Sequence, residues 1–201
     1  VRVNNRLQES TSVHWHGGDV NYPAYLVNGR LARAPRTHTT RPGKRIRLRI
    51  INAAADTTFD VAVAEHRLQV THSDGFPLHP IEVETLRLAM GERYDAVVTL
   101  KDGVFPLTAV PTGKKGTPSR LLLRTAMGTA PAPNARPKEL TGRRLGLEDL
   151  VATQEVRLPD RTPDRVQNVV LGGGMASYRW TINGRTYDNA EPLQIRHGEL
   201  T

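Results

Sequence analysis

Short runs in which apolar and polar residues alternate, separated by turn dipeptides, constrain the fold of this chain most. Arginine alternates with isoleucine or leucine at 45–50, which predicts a strand with one half-buried face and one solvated basic face. Seven such runs in about a hundred residues are typical of a Greek-key β-sandwich, so the predicted fold class is all-β. The predicted strands are 45–51, 59–63, 67–71, 82–88, 94–100, 105–110 and 120–124.

The absence of cysteine from the 201 residues excludes disulfides, Cys-x-x-Cys zinc sites, thiol nucleophiles and the thiolate of a blue-copper site. The net charge of +8 could indicate an anionic partner. However, the arginine-rich strand has no interleaved aromatic residues and no nucleic-acid motif is present, so nucleic-acid binding is not expected. No apolar run approaches the roughly 20 residues of a membrane span, and no signal-peptide pattern occurs.

The segment 11–17 contains the one His-x-His of the chain. In an extended strand His14 and His16 lie on the same face, with Cα atoms roughly 6.5 to 7 Å apart, and Trp15 turns to the other face. Neutral imidazole is a good ligand for copper or zinc, and this spacing suits two neighbouring ions as readily as one. Taken alone, the pattern is a weak signal, because most isolated occurrences are accidental or are surface histidines of an ordinary strand.

An internal repeat relates two parts of the chain. The tripeptide Asn-Gly-Arg at 28–30 recurs at 183–185, and Gly43 matches Gly198, both at an offset of 155 positions. One spacing kept over two motifs predicts a duplicated domain.

The N-terminal segment fits the same scheme, because the strand-like residues 1–5 resemble 48–52 at an offset of 47. Carrying that register forward places His14 on Val61 and His16 on Val63. The middle unit would therefore keep the strand but replace both candidate ligands with valine. We expect it to be metal-free.

The sequence resembles the three-domain multicopper oxidases, a family of laccase-like enzymes, and in particular its bacterial members. The resemblance is carried by the histidine segment, the valine-substituted strand and the repeat. The resemblance extends through Leu26 to Arg124 and again through Tyr178 to Leu200. It implies cupredoxin-like sandwiches, with copper in the first and third domains and none in the middle one. It also implies that His14 serves the type 2 copper and His16 the type 3 pair.

Four segments follow from the resemblance and from composition: a remnant of the first domain at 1–18, the middle domain at 19–126, an Ala/Pro-rich connection at 127–164 and the start of the third domain at 165–201. About 100 residues of the family pattern are missing between Gly17 and Asp19. Two explanations are open: the sequence joins two separated segments of a longer protein, or the protein has a real deletion. The first is favoured. The late histidine motifs of the family would fall beyond Thr201, so the copper site is expected to be incomplete.

The resemblance implies a parent enzyme, exported to the periplasm or beyond, that oxidises phenols or metal ions and reduces dioxygen to water. The 201 residues alone are expected to be inactive. The main alternative is a copper-free scaffold or binding protein of the cell envelope, suggested by the valines and the missing cysteine. A small copper-binding protein that uses only His14 and His16 is the least favoured, because the N-terminal strand has too little chain around it to form a core.

The remaining candidates have simpler interpretations. A short helix is predicted around 147–151, and a second β region at 166–171 and 178–182. The glycine run 172–174 has no serine for a nucleophile elbow and opens no helix, so a flexible turn is predicted. Five further histidines are interpreted as surface or hydrogen-bonded residues rather than ligands: His38, His66, His72, His79 and His197.

Overall fold

The computed structural model of the protein describes residues 22–174 and 176–201, so His14 and His16 lie outside the described residues. The chain divides between Arg157 and Leu158 into two compact units, an N-terminal unit and a C-terminal unit. Regular structure in the described residues consists of strands and short 3-10 helices. The prediction of an all-β fold is confirmed.

In its described residues, the N-terminal unit is a sandwich of a five-stranded and a four-stranded sheet. Its strands are β1 Thr37–Thr39, β2 Arg45–Ile51, β3 Phe59–Val63, β4 Leu68–Ser73, β5 Phe76–Val83, β6 Leu86–Leu88, β7 Arg93–Thr99, β8 Val104–Pro111 and β9 Ser119–Arg124. The first sheet has the order β1-β9-β8-β3-β6 and the second the order β2-β7-β4-β5. Strand β1 runs parallel to β9, and the other pairs are antiparallel. Two 3-10 helices follow at Lys138–Thr141 and Leu147–Asp149, the second within the predicted helix.

One predicted strand, 82–88, is wrong as a single element, because the structure divides it between the two sheets. Strand β5 begins at Phe76, after a turn in which Asp74 and Gly75 have positive φ, and ends at Val83. Its prolines are tolerated because β5 is the edge of its sheet and needs few backbone donors. The chain then crosses through Thr85, whose buried hydroxyl donates to the Glu139 carbonyl, before β6 pairs with β3 in the other sheet.

The core between the sheets is mainly aliphatic, in keeping with a sequence in which aromatic residues make up 5%. Strands β3, β4, β6 and β7 contribute its central side chains, and Phe105 and Tyr94 are the buried aromatic residues of the cluster. Leucines and valines fill the most enclosed positions, which are almost completely inaccessible to water: Leu68, Leu86, Leu88, Leu100, Leu123, Val63, Val70, Val83 and Val98.

The C-terminal unit contains an antiparallel hairpin of β10 Leu171–Gly174 and β11 Arg179–Ile182, followed by a 3-10 helix at Tyr187–Asn189. The prediction that the glycine run 172–174 forms a flexible turn is wrong, because these residues pair with β11. Gly173 lies opposite Trp180, and a Cβ atom on it would lie 2.1 Å from the Arg179 carbonyl oxygen. The strand begins at Leu171 rather than at 166.

The Asn-Gly-Arg repeat has the same backbone geometry in both units. Asn28 and Gly29 have φ values of 49° and 74°, and Asn183 and Gly184 have 51° and 77°. These are the positive values of a two-residue hairpin turn, which Asn-Gly favours. Each turn is closed by two backbone hydrogen bonds of 2.8 to 3.1 Å between its flanking residues, 27 with 30 and 182 with 185.

Two further turns recur at the same offset of 155 positions. The Ala34 amide donates to the Leu31 carbonyl at 2.9 Å, and the Asn189 amide donates to the Thr186 carbonyl at the same distance. Around the matched glycines 43 and 198, the hydrogen bond from residue 44 to residue 41 recurs as one from 199 to 196. Three turns in one register support a common origin for the two segments.

Candidate metal centre

Strand β3 carries the two positions that the sequence register aligns with His14 and His16. Val61 and Val63 are 3% and 0% exposed, and both belong to the hydrophobic core. The strand lies inside the first sheet, between β8 and β6. A metal ligand at either position would have to replace a core-packed side chain.

Histidine, aspartate and glutamate side chains do not converge on a metal site in the described ranges 22–174 and 176–201. These ranges contain no group of three or more such residues that could hold an ion. His14 and His16 lie outside them, so their relative positions are not part of the described structure. Their imidazole donors match the ligand preference of copper, but the described residues do not complete a copper cluster.

His66 is a buried, fully hydrogen-bonded residue of the N-terminal unit. Its ring packs nearly perpendicular to the Phe105 ring, with centroids 4.5 Å apart and an interplanar angle of 81°. The Nδ1 atom lies 2.7 Å from the Ala64 carbonyl oxygen, and Nε2 lies 3.0 Å from the Lys101 amide nitrogen. These contacts give His66 a structural role in the sandwich.

The other described histidines are dispersed. His72 is half-buried on β4, where its Nδ1 atom lies 3.0 Å from the Thr71 hydroxyl and 3.5 Å from an Arg47 guanidinium nitrogen. His38, His79 and His197 are exposed on β1, on β5 and in the turn before Gly198.

An apolar groove of about 700 Å³ opens between the two sheets beside β2. Its lining includes Leu48 and Ile50 from β2, Tyr25 and Phe59 from the other side, and Tyr22 at its end. The Tyr25 and Phe59 rings pack edge to face with centroids 5.3 Å apart. The sequence analysis did not predict the groove. The alternation in β2 identifies which side chains face inward, but it does not show that other residues leave them partly uncovered.

A charged pair lies near the tyrosine end of this groove. The Lys114 ammonium contacts the Asp56 carboxylate at 2.5 Å, and this hydrogen bond raises the pKa of Lys114. The Tyr22 hydroxyl accepts a hydrogen bond of 3.0 Å from the Ala55 amide. The Lys114–Asp56 pair connects the loop between β8 and β9 to the loop before β3, and the Ala55–Tyr22 bond connects that second loop to the segment before β1.

Comparison with known proteins identifies the family. The family model described as multicopper oxidase matches residues 4–127. Multicopper oxidase MmcO of Mycobacterium tuberculosis is 47% identical over 183 residues, which are 91% of this chain and 36% of that protein. Copper resistance protein A of Escherichia coli is 33% identical over 127 residues, covering 63% of this chain and 20% of that protein.

Solved structures agree at the level of the fold. The laccase from Botrytis aclada matches 75% of this chain and 30% of its own, with a TM-score of 0.56 and 21% identity. Fet3p, a multicopper oxidase that functions in iron import, matches 72% of this chain and 29% of its own, with a TM-score of 0.54 and 16% identity. The chain spans about a third or less of the length of these relatives. It belongs to the multicopper oxidase family.

Proposed function

We propose that this chain is part of a copper-dependent oxidoreductase and contributes its metal-free middle unit together with two copper ligands. In this proposal 19–126 is the middle cupredoxin-like domain, 1–18 belongs to the first domain, 127–164 is the connection and 165–201 begins the third. The observation that carries it is the family match over 4–127, a range that includes both the histidine segment and the described sandwich.

The buried valines support the division of roles within the chain. Val61 and Val63 occupy core positions of β3, so copper binding falls to His14 and His16 of the preceding segment. His14 would be a ligand of the type 2 copper and His16 of the type 3 pair, each through a neutral imidazole.

The chemistry supplied by bound copper is the oxidation of phenols or metal ions, one electron at a time, and the reduction of dioxygen to water. Two histidines cannot complete such a cluster, so the 201-residue chain alone should show no oxidase activity. An exported location, periplasmic or extracellular, belongs to the same proposal. Helices long and apolar enough to cross a membrane do not occur in the part of the chain that the structure describes.

Copper titration of the full chain tests the ligand assignment. We expect Cu(II) binding to be lost in a His14→Ala/His16→Ala variant and kept in a His38→Ala/His79→Ala variant, which removes two exposed histidines of the sandwich. Equal binding by both variants would refute the assignment. Oxygen uptake with a phenolic substrate by this chain alone would refute its predicted inactivity.

A copper-free envelope scaffold is the second candidate, favoured by the same valines and by the absence of cysteine. Metal analysis of the longer parent protein separates the two functions. About four copper ions per chain would support the oxidase, because type 1, type 2 and paired type 3 sites need that number. A parent protein purified without copper, and unable to take it up, would support the scaffold.

A further inference from the structure

In the described part of the chain, strand β2 forms one edge of the second sheet, and its outer backbone groups have no pairing partner there. All seven of its residues pair with β7 on one side. The Lys44 carbonyl and the Asn52 amide bond to residues 100 and 92 at the ends of this pairing. By the antiparallel alternation, the backbone groups of Ile46, Leu48 and Ile50 face β7, and those of Arg45, Arg47, Arg49 and Ile51 face outward. Within the described chain, these four outward residues make no backbone hydrogen bond.

The inner face of β2 is apolar and only partly covered. Ile46, Leu48 and Ile50 are half-buried and form the margin of the hydrophobic core. The apolar groove of about 700 Å³ runs along this face. Ile51, at the end of the strand, is 54% exposed. Apolar side chains placed beside this strand would therefore cover surface that the sandwich leaves open.

The outer face of β2 carries more positive charge than its neighbours neutralise. Arg47 and Arg49 share the single carboxylate of Asp95 on β7, and the Arg49 contact is long, at 3.8 Å. Within the described residues, the hydrogen bond of the Arg45 guanidinium is to the Gln69 side-chain oxygen, at 3.5 Å. The Arg47 and Arg49 side chains are 52% and 72% exposed. Three arginines on one face and one shared carboxylate leave an attractive surface for acidic groups.

We propose that the β2 edge binds, as an added antiparallel strand, an extended segment of another polypeptide in which acidic and apolar residues alternate. Residues directly opposite each other share a face of the sheet, so the acidic side chains would lie against the three arginines. The apolar side chains between them would then cover Ile46, Leu48 and Ile50. Strand addition to an exposed edge is an established mode of peptide recognition.

The charge pattern decides against two other occupants. A second copy of this chain, paired through β2, would place arginines against arginines, which is repulsive. The chain itself has no segment with three acidic residues at alternate positions, so it cannot supply the matching strand from its own sequence. The edge also has no proline and no bulge, two common devices that block strand addition.

A capped, fluorescent seven-residue peptide that alternates glutamate and valine tests the proposal, by fluorescence anisotropy with the full chain. We expect saturable binding of one peptide per chain, weaker at high salt. A peptide with lysine in place of glutamate should not bind. The glutamate amides would face β2, so N-methylation of the glutamates should abolish binding and N-methylation of the valines should preserve it. Equal effects of the two methylation patterns would overturn the proposal.

The matching protein variant is Arg45→Glu/Arg49→Glu, which reverses two charges and leaves the Arg47–Asp95 pair intact. We expect affinity for the glutamate–valine peptide to fall about tenfold or more. Arg136→Glu/Arg157→Glu makes the same change in net charge at two exposed arginines away from β2 and should bind normally. Unchanged thermal unfolding would verify that both variants fold. Equal affinity of the two variants for the peptide would also overturn the proposal. Because no step of the binding involves copper, this test is independent of the proposed copper ligands.

Discussion

The Nε2 atom of His66 accepts a hydrogen bond from the backbone amide of Lys101, at an N–N distance of 3.0 Å. A backbone amide can only donate, so Nε2 carries no proton. The proton of the neutral ring is therefore on Nδ1, which donates it to the Ala64 carbonyl at 2.7 Å. Both ring nitrogens of this buried histidine are thus engaged within the sandwich, which separates His66 from the exposed histidines of the chain.

We expect His66→Ala to lower the free energy of unfolding by about 2–4 kcal/mol, because two partly buried backbone hydrogen bonds and the contact of the buried ring with Phe105 are lost. Urea denaturation measures this. His79→Ala, at an exposed position, should change stability by less than about 0.5 kcal/mol. Copper binding should be unchanged in both. A His66→Ala variant as stable as His79→Ala would show that these hydrogen bonds contribute little.

Val61→His should destabilise the N-terminal unit by about 2–4 kcal/mol and should add no copper site. The position is 3% exposed and lined by core side chains, so an imidazole there would be buried without a hydrogen-bond partner. Val97→His, on the half-buried outer side of β7, should cost much less. Thermal unfolding with and without Cu(II) is the measurement. Stabilisation of Val61→His by copper would contradict the assignment of β3 as metal-free framework.

Arg120 has a buried guanidinium that pairs with no carboxylate among the described residues, and burial lowers its pKa. Its Nε atom donates to the Ala32 carbonyl at 2.9 Å, and Nη1 donates to the carbonyls of Pro131 and Ala132 at 2.5 and 3.1 Å. We expect Arg120→Lys to destabilise the unit by about 2–3 kcal/mol, because a single ammonium cannot reproduce this fork.

Limited proteolysis provides a local measurement for the same variant. Cleavage within 129–137 should be faster in Arg120→Lys, because the guanidinium connects that segment to β9. The exposed Arg136→Lys serves as the control and should be cleaved at the normal rate. Identical cleavage of both variants would show that other contacts hold the segment.

Gly29→Ala and Gly184→Ala form a matched pair across the two units. Their φ values are 74° and 77°, and an added Cβ would meet no atom within 4 Å at either site, so any cost is a backbone cost. Each substitution should cost about 1 kcal/mol and speed amide exchange of the following arginine, Arg30 or Arg185, about fivefold. Gly174→Ala, in a strand with open space around its Cα, should show a smaller effect.

The C-terminal unit should loosen in acid. A backbone hydrogen bond from the Leu200 amide lowers the pKa of Asp164, and a hydrogen bond from Arg165 lowers the pKa of Glu199. A carboxyl whose pKa is lower in the folded state stabilises that state above its ordinary pKa, and this contribution is lost as pH falls through the folded value.

We therefore expect exchange protection of the Leu200 amide to be constant near neutral pH and to decline below about pH 4. Hydrogen exchange followed by NMR is the measurement. The Asp164→Asn/Glu199→Gln variant should show reduced protection at neutral pH and a flatter pH profile. Glu191→Gln, in an exposed pair with Arg185, should behave as the unsubstituted chain. An acid decline that survives the double substitution would assign it to other groups.

Local patterns predicted much of this fold because they depend on neighbouring residues. The alternation at 45–51 predicts β2 within its observed bounds, since side chains alternate between the faces of a strand. The Asn-Gly turns at 28–29 and 183–184 follow from the tolerance of these residues for positive φ. The assignment of His14 and His16 as copper ligands stays a prediction, because both lie outside the described residues.

The sequence by itself determined the all-β class, the repeat at an offset of 155 and the family, since each depends on periodicity or on motifs a few residues long. The tertiary structure decided what depends on distant partners. It decided that β5 ends before Thr85 and β6 joins the other sheet, that His66 is satisfied by Lys101, and that β2 is an edge. Strand pairing and hydrogen-bond satisfaction join residues far apart in the chain, so no local pattern could predict these features.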